Sequence, residues 1–202
     1  MMPTLAARAC NVQTPQTLYT PQTLYTPHTP HTLHTLHTLH TLHPGDVACV
    51  DSGERMETLL GSCVAIVLTD PRRTVGAMCH VVHARPAQPG APMPTAHGDA
   101  ALALMSARLR ARGIEPRLCH AWVYGGGNMF PQRVGASAAQ GNVGAANADW
   151  ALCALAGLGI PVLGGELGGN AYRKLRWTVG PGEPEFEAFA VDGGPQAEGA
   201  TA

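Results

Sequence analysis

Val64-Ala65-Ile66-Val67-Leu68-Thr69-Asp70-Pro71-Arg72-Arg73-Thr74-Val75-Gly76-Ala77-Met78-Cys79-His80 is the stretch whose reading decides the fold. An apolar run, Val64 to Leu68, and a second β-rich run, Thr74 to His83, flank a short polar segment that carries proline at its second position. Two such runs about a four-residue loop predict a β-hairpin, because proline already holds the φ that the second position of a type I or II turn needs. With residues 70–73 as the loop, Thr69 faces Thr74 and, counting outward, Cys63 faces His80. Opposed side chains in an antiparallel ladder share a face, with Cβ atoms about 4.5–5.5 Å apart, so thiol and imidazole are within reach. Cys79 and His83 fall on the opposite face. A one-residue bulge would undo this register.

A thiol beside an imidazole is a nucleophile beside its base, since a free thiol is mostly protonated at neutral pH. The same spacing also suits a small buried cysteine next to a hydrogen-bonded strand histidine. Just before the thiol stand Gly61 and Ser62, whose backbone N–H groups can form an oxyanion hole; a plain tight turn into a strand is the alternative.

Outward from the hairpin, Gly45 to Val50 reads as a short strand, and Pro86 to Pro94 as a proline-rich loop. Asp99 is expected to cap a helix reaching Arg112, with Leu102, Met105 and Leu109 on one face and Gly113 as its stop. Leu118 to Tyr124 reads as a strand ending in Gly125-Gly126-Gly127-Asn128. A second helix, capped by Asn142 or Asn147, runs through Trp150 and Leu155 to Gly157. Ile160 to Leu163 is a strand, Gly164 to Asn170 a glycine-rich turn, and Arg173 to Val179 with Glu185 to Val191 a final strand pair. Hairpins at both ends and two main helices predict an α+β class, a compact single-domain α/β sandwich.

The net charge of −1, with charged residues at 13%, lacks the basic excess that grips a phosphate backbone, so nucleic acid is not the expected partner. No apolar run of about 18 residues and no signal-type start predict a cytoplasmic protein without membrane insertion. Cys10, Cys49, Cys63, Cys79, Cys119 and Cys153 are scattered, with no CxxC pair, which predicts reduced thiols and no structural zinc.

Residues 14–43 are repetitive: Thr-Pro-Gln-Thr-Leu-Tyr twice, then Thr-Pro-His units, then Thr-Leu-His four times. A period of three fits neither helix nor strand, so residues 1–43 are expected to be a disordered tail, 44–191 the domain, and 192–202 a flexible C-terminal tail. Met56 is the next methionine after the tract, which leaves open a misassigned start. His28, His31, His34, His37, His40 and His43 recur every third residue and could capture nickel, copper or zinc without bearing on the Cys–His pair.

Four runs carry a resemblance: Thr58-Leu59-Leu60-Gly61-Ser62-Cys63-Val64-Ala65; Gly76-Ala77-Met78 with His80; Gly125-Gly126-Gly127-Asn128-Met129-Phe130; and Glu166-Leu167-Gly168-Gly169-Asn170 with Arg173-Lys174. In this order they resemble the CheD family of chemoreceptor glutamine deamidases, over about Pro44 to Val191. The resemblance implies a catalytic Cys63, His80 and Thr58, the last orienting the imidazole. It also implies a fold shared with toxin-type cysteine deamidases, glutamines of methyl-accepting chemotaxis receptors as substrate, and no cofactor. A CheC-type phosphatase is an implied partner, and methylester hydrolysis on the same receptors a related activity. Gly61, Ser62, Gly126, Gly127, Asn128, Gly168 and Gly169 are expected around the oxyanion hole and substrate cleft. Glu166 and Arg173 read either as site neighbours or as solvated charges. Ala145-Ala146 before Asn147, where relatives often carry a charged pair, and the repetitive tract depart from the family pattern. The alternative function is an inactive binding module that regulates a CheC-type phosphatase; an intact Cys63 and His80 argue against it.

Overall fold

The computed structural model describes residues 38–84, 94–129 and 143–190, all within one compact unit, Leu36–Ala202. In chain order the elements are β1 (Leu39–Leu42), β2 (Val47–Asp51), β3 (Arg55–Leu60), β4 (Val64–Thr69), β5 (Val75–Val81), α1 (Gly98–Ala111), β6 (His120–Gly125), α2 (Val143–Leu158), β7 (Val162–Leu167), β8 (Ala171–Thr178) and β9 (Glu185–Ala190). The expected hairpin is β4–β5, at the centre of a five-stranded sheet ordered β2-β5-β4-β6-β7. Every residue of β4 and β5 is buried, as a continuous apolar run demands when both faces of a strand are covered.

One face of this sheet packs on α1 and α2 through Val64, Ile66, Leu68, Cys79, Val81, Leu102, Met105, Leu109, Ala151 and Leu155. The other packs on a second sheet, ordered β1-β3-β8-β9, through Met56, Leu60, Ala65, Val67, Met78, Trp122, Leu175 and Trp177. The architecture is therefore sheet on sheet on helices, the α+β sandwich that the pattern predicts.

The turn differs from expectation in register. The Arg73 N–H donates to the Asp70 carbonyl at 2.8 Å, so the predicted turn over 70–73 forms, but Thr69 pairs with Gly76 rather than Thr74. Arg73 adopts a left-handed φ of 56° and, with Thr74, adds two residues to the second arm. The cause is the Asp70 carboxylate, which accepts from the N–H groups of Arg72, Thr74 and Val75 and from the Thr74 hydroxyl. Ala65, not Cys63, directly faces His80. Because the shift is even, every side chain keeps its face.

Further boundaries move. Leu39–Leu42, expected in the tail, is a strand pairing parallel to β3, and Leu42 is 4% exposed. The described fold thus reaches into the Thr-Leu-His repeat; residues 1–37 and the C-terminal tail lie outside the described residues. Asp99 does not cap α1: His97 holds that position without a side-chain cap, and Asp99 accepts the Trp150 indole N–H at 3.0 Å. Asn147 does not cap α2 but lies buried within it, while Asn142, residues 86–93 of the proline-rich loop and Phe130 fall outside the described residues. Gly164 to Leu167 belong to β7, so the glycine turn shortens to 168–170.

Candidate active site

Cys63 stands one residue before β4, at the mouth of the gap between the two sheets, where its half-buried side chain packs on the inter-sheet core. His80 lies on β5, on the same sheet face, 3% exposed. With Ala65 opposite His80, Cys63 takes the diagonal position, for which backbones stand about 7–8 Å apart. Cys79 and His83 do lie on the other face: Cys79 is in the helix-side core, and the His83 ring sits 5.4 Å from that of His97.

Thr58, on β3 of the second sheet, faces inward because β3 alternates with Met56, Thr58 and Leu60 buried. Its Oγ1 is 2.8 Å from the Leu42 carbonyl and 2.8 Å from His80 Nδ1. A hydroxyl has one proton and a carbonyl has none, so the hydroxyl donates to Leu42 and accepts from Nδ1–H. The neutral ring is thereby held with its lone pair on Nε2, and Nε2 is buried without a partner among the described residues. Burial pushes His80 below the ordinary histidine value of 6.5, opposed by the Leu42 carbonyl and Asp46. Burial likewise pushes the Cys63 thiol above 9.0, opposed by its own backbone N–H. Both directions favour the uncharged forms, thiol and imidazole, at neutral pH.

The loop before the thiol is braced through its carbonyls. Gly127 N–H donates to Gly61 at 2.8 Å, Asn147 Nδ2 to Ser62 at 3.0 Å, and Gly126 N–H to Cys63 at 2.8 Å. Gly125 has φ 109°, and a Cβ there would strike the Cys63 carbonyl oxygen, so only glycine lets β6 approach this closely. Gly126 and Gly127 thus spend their N–H groups on the loop, and Asn128 N–H donates to Gly169 at 2.7 Å. Among the described residues no backbone carbonyl outside the strand ladders takes up the Ser62 or Cys63 N–H. Met129 and Tyr172 cover Gly61.

The turn at 168–169 closes the far side. Gly168 N–H donates to Gly125 at 2.9 Å, and Arg173 donates to the Gly168 carbonyl at 2.6 Å and to Glu166 at 3.1 Å. Arg173 is therefore no solvated charge but a buried clamp, 2% exposed, and Glu166 is its counterion. All the expected site residues are brought to this one end of the sandwich. Sequence reasoning missed the Leu42 carbonyl, which sits in a repeat without strand periodicity. It also misread Asn147, although a polar residue at the inward spacing of Gly144, Ala148, Ala151 and Leu155 was a signal. Among the described residues no group of three or more His, Cys, Asp or Glu is arranged to hold a metal ion, and no helix is long and apolar enough to cross a membrane.

The family model described as CheD chemotactic sensory transduction matches residues 84–186. A relative in Albidiferax ferrireducens, named probable chemoreceptor glutamine deamidase CheD 2, is 38% identical over 142 residues, 69% of this chain and 81% of the relative. The chain belongs to the CheD family. A second relative of that name, CheD 3 of Dechloromonas aromatica, is 33% identical over 69% of this chain and 81% of its own length. CheD 1 of Chromobacterium violaceum is 34% identical over 69% and 72%. The CheD model begins at residue 84 and so does not itself span Cys63 and His80.

Proposed function

We propose that this CheD-family protein is a chemoreceptor glutamine deamidase working through Cys63 and His80. The observation that carries the mechanism is the Thr58 hydroxyl, whose bond to Leu42 leaves His80 Nε2 as a bare base on the face that carries Cys63.

As a receptor glutamine enters, Nε2 takes the thiol proton and Sγ attacks the carboxamide carbon, so that the C=O electron pair moves onto oxygen. The Ser62 and Cys63 N–H groups hold that oxyanion. When the intermediate collapses, the C–N bond breaks and Nε2–H gives its proton to the leaving nitrogen, releasing ammonia. Water then attacks the thioester, giving one proton to Nε2; glutamate leaves and the thiolate recovers that proton. Both carboxamide hydrogens and the thiol proton leave as ammonia, one water proton restores the thiol, and the other stays on the new carboxyl until it ionises to solvent.

Incubation with receptor fragments, read by mass spectrometry, is expected to turn specific glutamines into glutamates with wild type and to leave them unchanged with Cys63→Ala. Equal, unmodified fragments from both would sink the enzymatic reading and favour the binding module. The reading carries with it a cytoplasmic location and, on the family resemblance, a CheC-type phosphatase partner, tested by whether such a phosphatase co-elutes with the protein.

A further inference from the structure

Asn147, 1% exposed on the inward stripe of α2, presents one side-chain nitrogen to two carbonyls: Ser62 at 3.0 Å and Val82 at 2.9 Å. Two acceptors fix the orientation of the carboxamide, because its own oxygen would repel both. Ser62 immediately precedes the thiol residue, and Val82 lies two residues beyond His80. The β4–β5 ladder does not reach Cys63, since pairing begins at Val64 with Val81. Past that point the amide of Asn147 is the bridge between the strand end that carries the base and the loop that carries the nucleophile.

Resting on the Cys63–His80 reading, we infer that Asn147 is a positioning residue that sets the separation of thiol and imidazole. Both N–H groups of one rigid amide are used, so the two carbonyls are held at one separation. Misplacement of reacting groups by ~1 Å costs on the order of 100-fold in rate. On its outer side Asn147 forms part of the wall of a groove of about 720 Å³, together with His83, Asp99, Trp150 and Cys153. That groove lies on the helix side of the sheet, opposite to the His80 ring, so any effect of Asn147 on the imidazole passes through the strand end and loop that its amide bridges. The titratable groups that act on His80 are His43 and Asp46, from the turn between β1 and β2, and neither lies on α2.

The test is the pH profile of Cys63 alkylation by iodoacetamide, read peptide by peptide, with thermal midpoints confirming a folded chain. Cys153, exposed on α2, serves as internal reference, and Cys79 and Cys119, pushed to about 12 and about 11 by burial, stay silent. Wild type is expected to show a step that His80→Gln removes. Asn147→Ala is expected to flatten or abolish that step and to change the Cys63 rate by roughly tenfold at neutral pH. Asn147→Ser, which keeps one donor and carries the test if the alanine variant does not fold, flattens the step less. A wild-type step in both variants overturns the inference alone. A wild-type profile indifferent to His80→Gln overturns the underlying pair, and the inference with it.

Discussion

At the scale of single residues, one hydroxyl decides what His80 can do. Thr58→Val removes the acceptor for Nδ1–H while keeping the shape, leaving a buried donor unpaired at a cost of about 1–3 kcal/mol. The ring is then free to carry its proton on Nε2, where it is useless as a base. The expected result is a kcat lower by roughly 10- to 100-fold with KM little changed, and near-normal turnover for Thr58→Ser. The acid limb of the wild-type kcat/KM profile should have its midpoint below 6.5, because burial depresses His80 and so preserves the neutral base to lower pH. The sign for stability is the same: between the depressed folded value and 6.5 the unfolded chain binds the extra proton, so stability rises with pH through that window and is level above it. Of this site, Cys63 and His80 were legible from hairpin parity alone. Thr58 was not, since its partner across the gap belongs to the other sheet and no local spacing brings β3 over β5.

At the scale of elements, the hairpin shows why pattern finds faces more readily than registers. Apolar alternation reports which side a residue occupies, and an even slip leaves that report intact. The slip itself comes from a side chain, Asp70, that replaces ladder bonds with carboxylate bonds to three N–H groups and a hydroxyl. Arg73 ties the loop onward, its guanidinium over the Trp122 ring at 5.3 Å and bonded to the Pro181 and Gly182 carbonyls of the β8–β9 loop. The turn thus links the two sheets at the end far from Cys63. Burial raises the Asp70 pKa, but the hydrogen bonds outweigh it and hold the carboxyl below 3.8. Its contribution is present above 3.8 and is lost as pH falls through the lowered folded value. Asp70→Ala should cost about 2 kcal/mol by denaturant midpoint at neutral pH, and less in acid, while Cys63 alkylation in the native state is unaffected.

At the scale of the whole molecule, the candidate site exists only because two sheets meet, and β1 is the strand that repetition hid. The expectation of a tail to residue 43 rested on a period of three, which excludes a self-standing amphipathic strand but does not prevent four residues from adding to an existing edge. Leu39–Leu42 needs only the free side of β3 and one buried leucine, and both are present. A chain begun at Met56 would lack β1 and β2, including the Leu42 carbonyl and the Asp46 carbonyl that accepts the His80 N–H at 3.0 Å. Two truncations separate the roles. A chain starting at Thr38 retains every contact described around Thr58 and is expected to deamidate receptor fragments as the full chain does. A chain starting at Pro44 keeps all three expected catalytic side chains but loses the acceptor for the Thr58 hydroxyl. That hydroxyl then turns to donate to His80 Nδ1, the proton moves to Nε2, and the base is lost by tautomer rather than by mutation. Turnover should fall on the order of 100-fold even in the folded fraction. The bare edge of β3 should also promote association, visible as a concentration-dependent elution volume. Full turnover from the Pro44 chain would show that the Leu42 carbonyl does not set the state of His80.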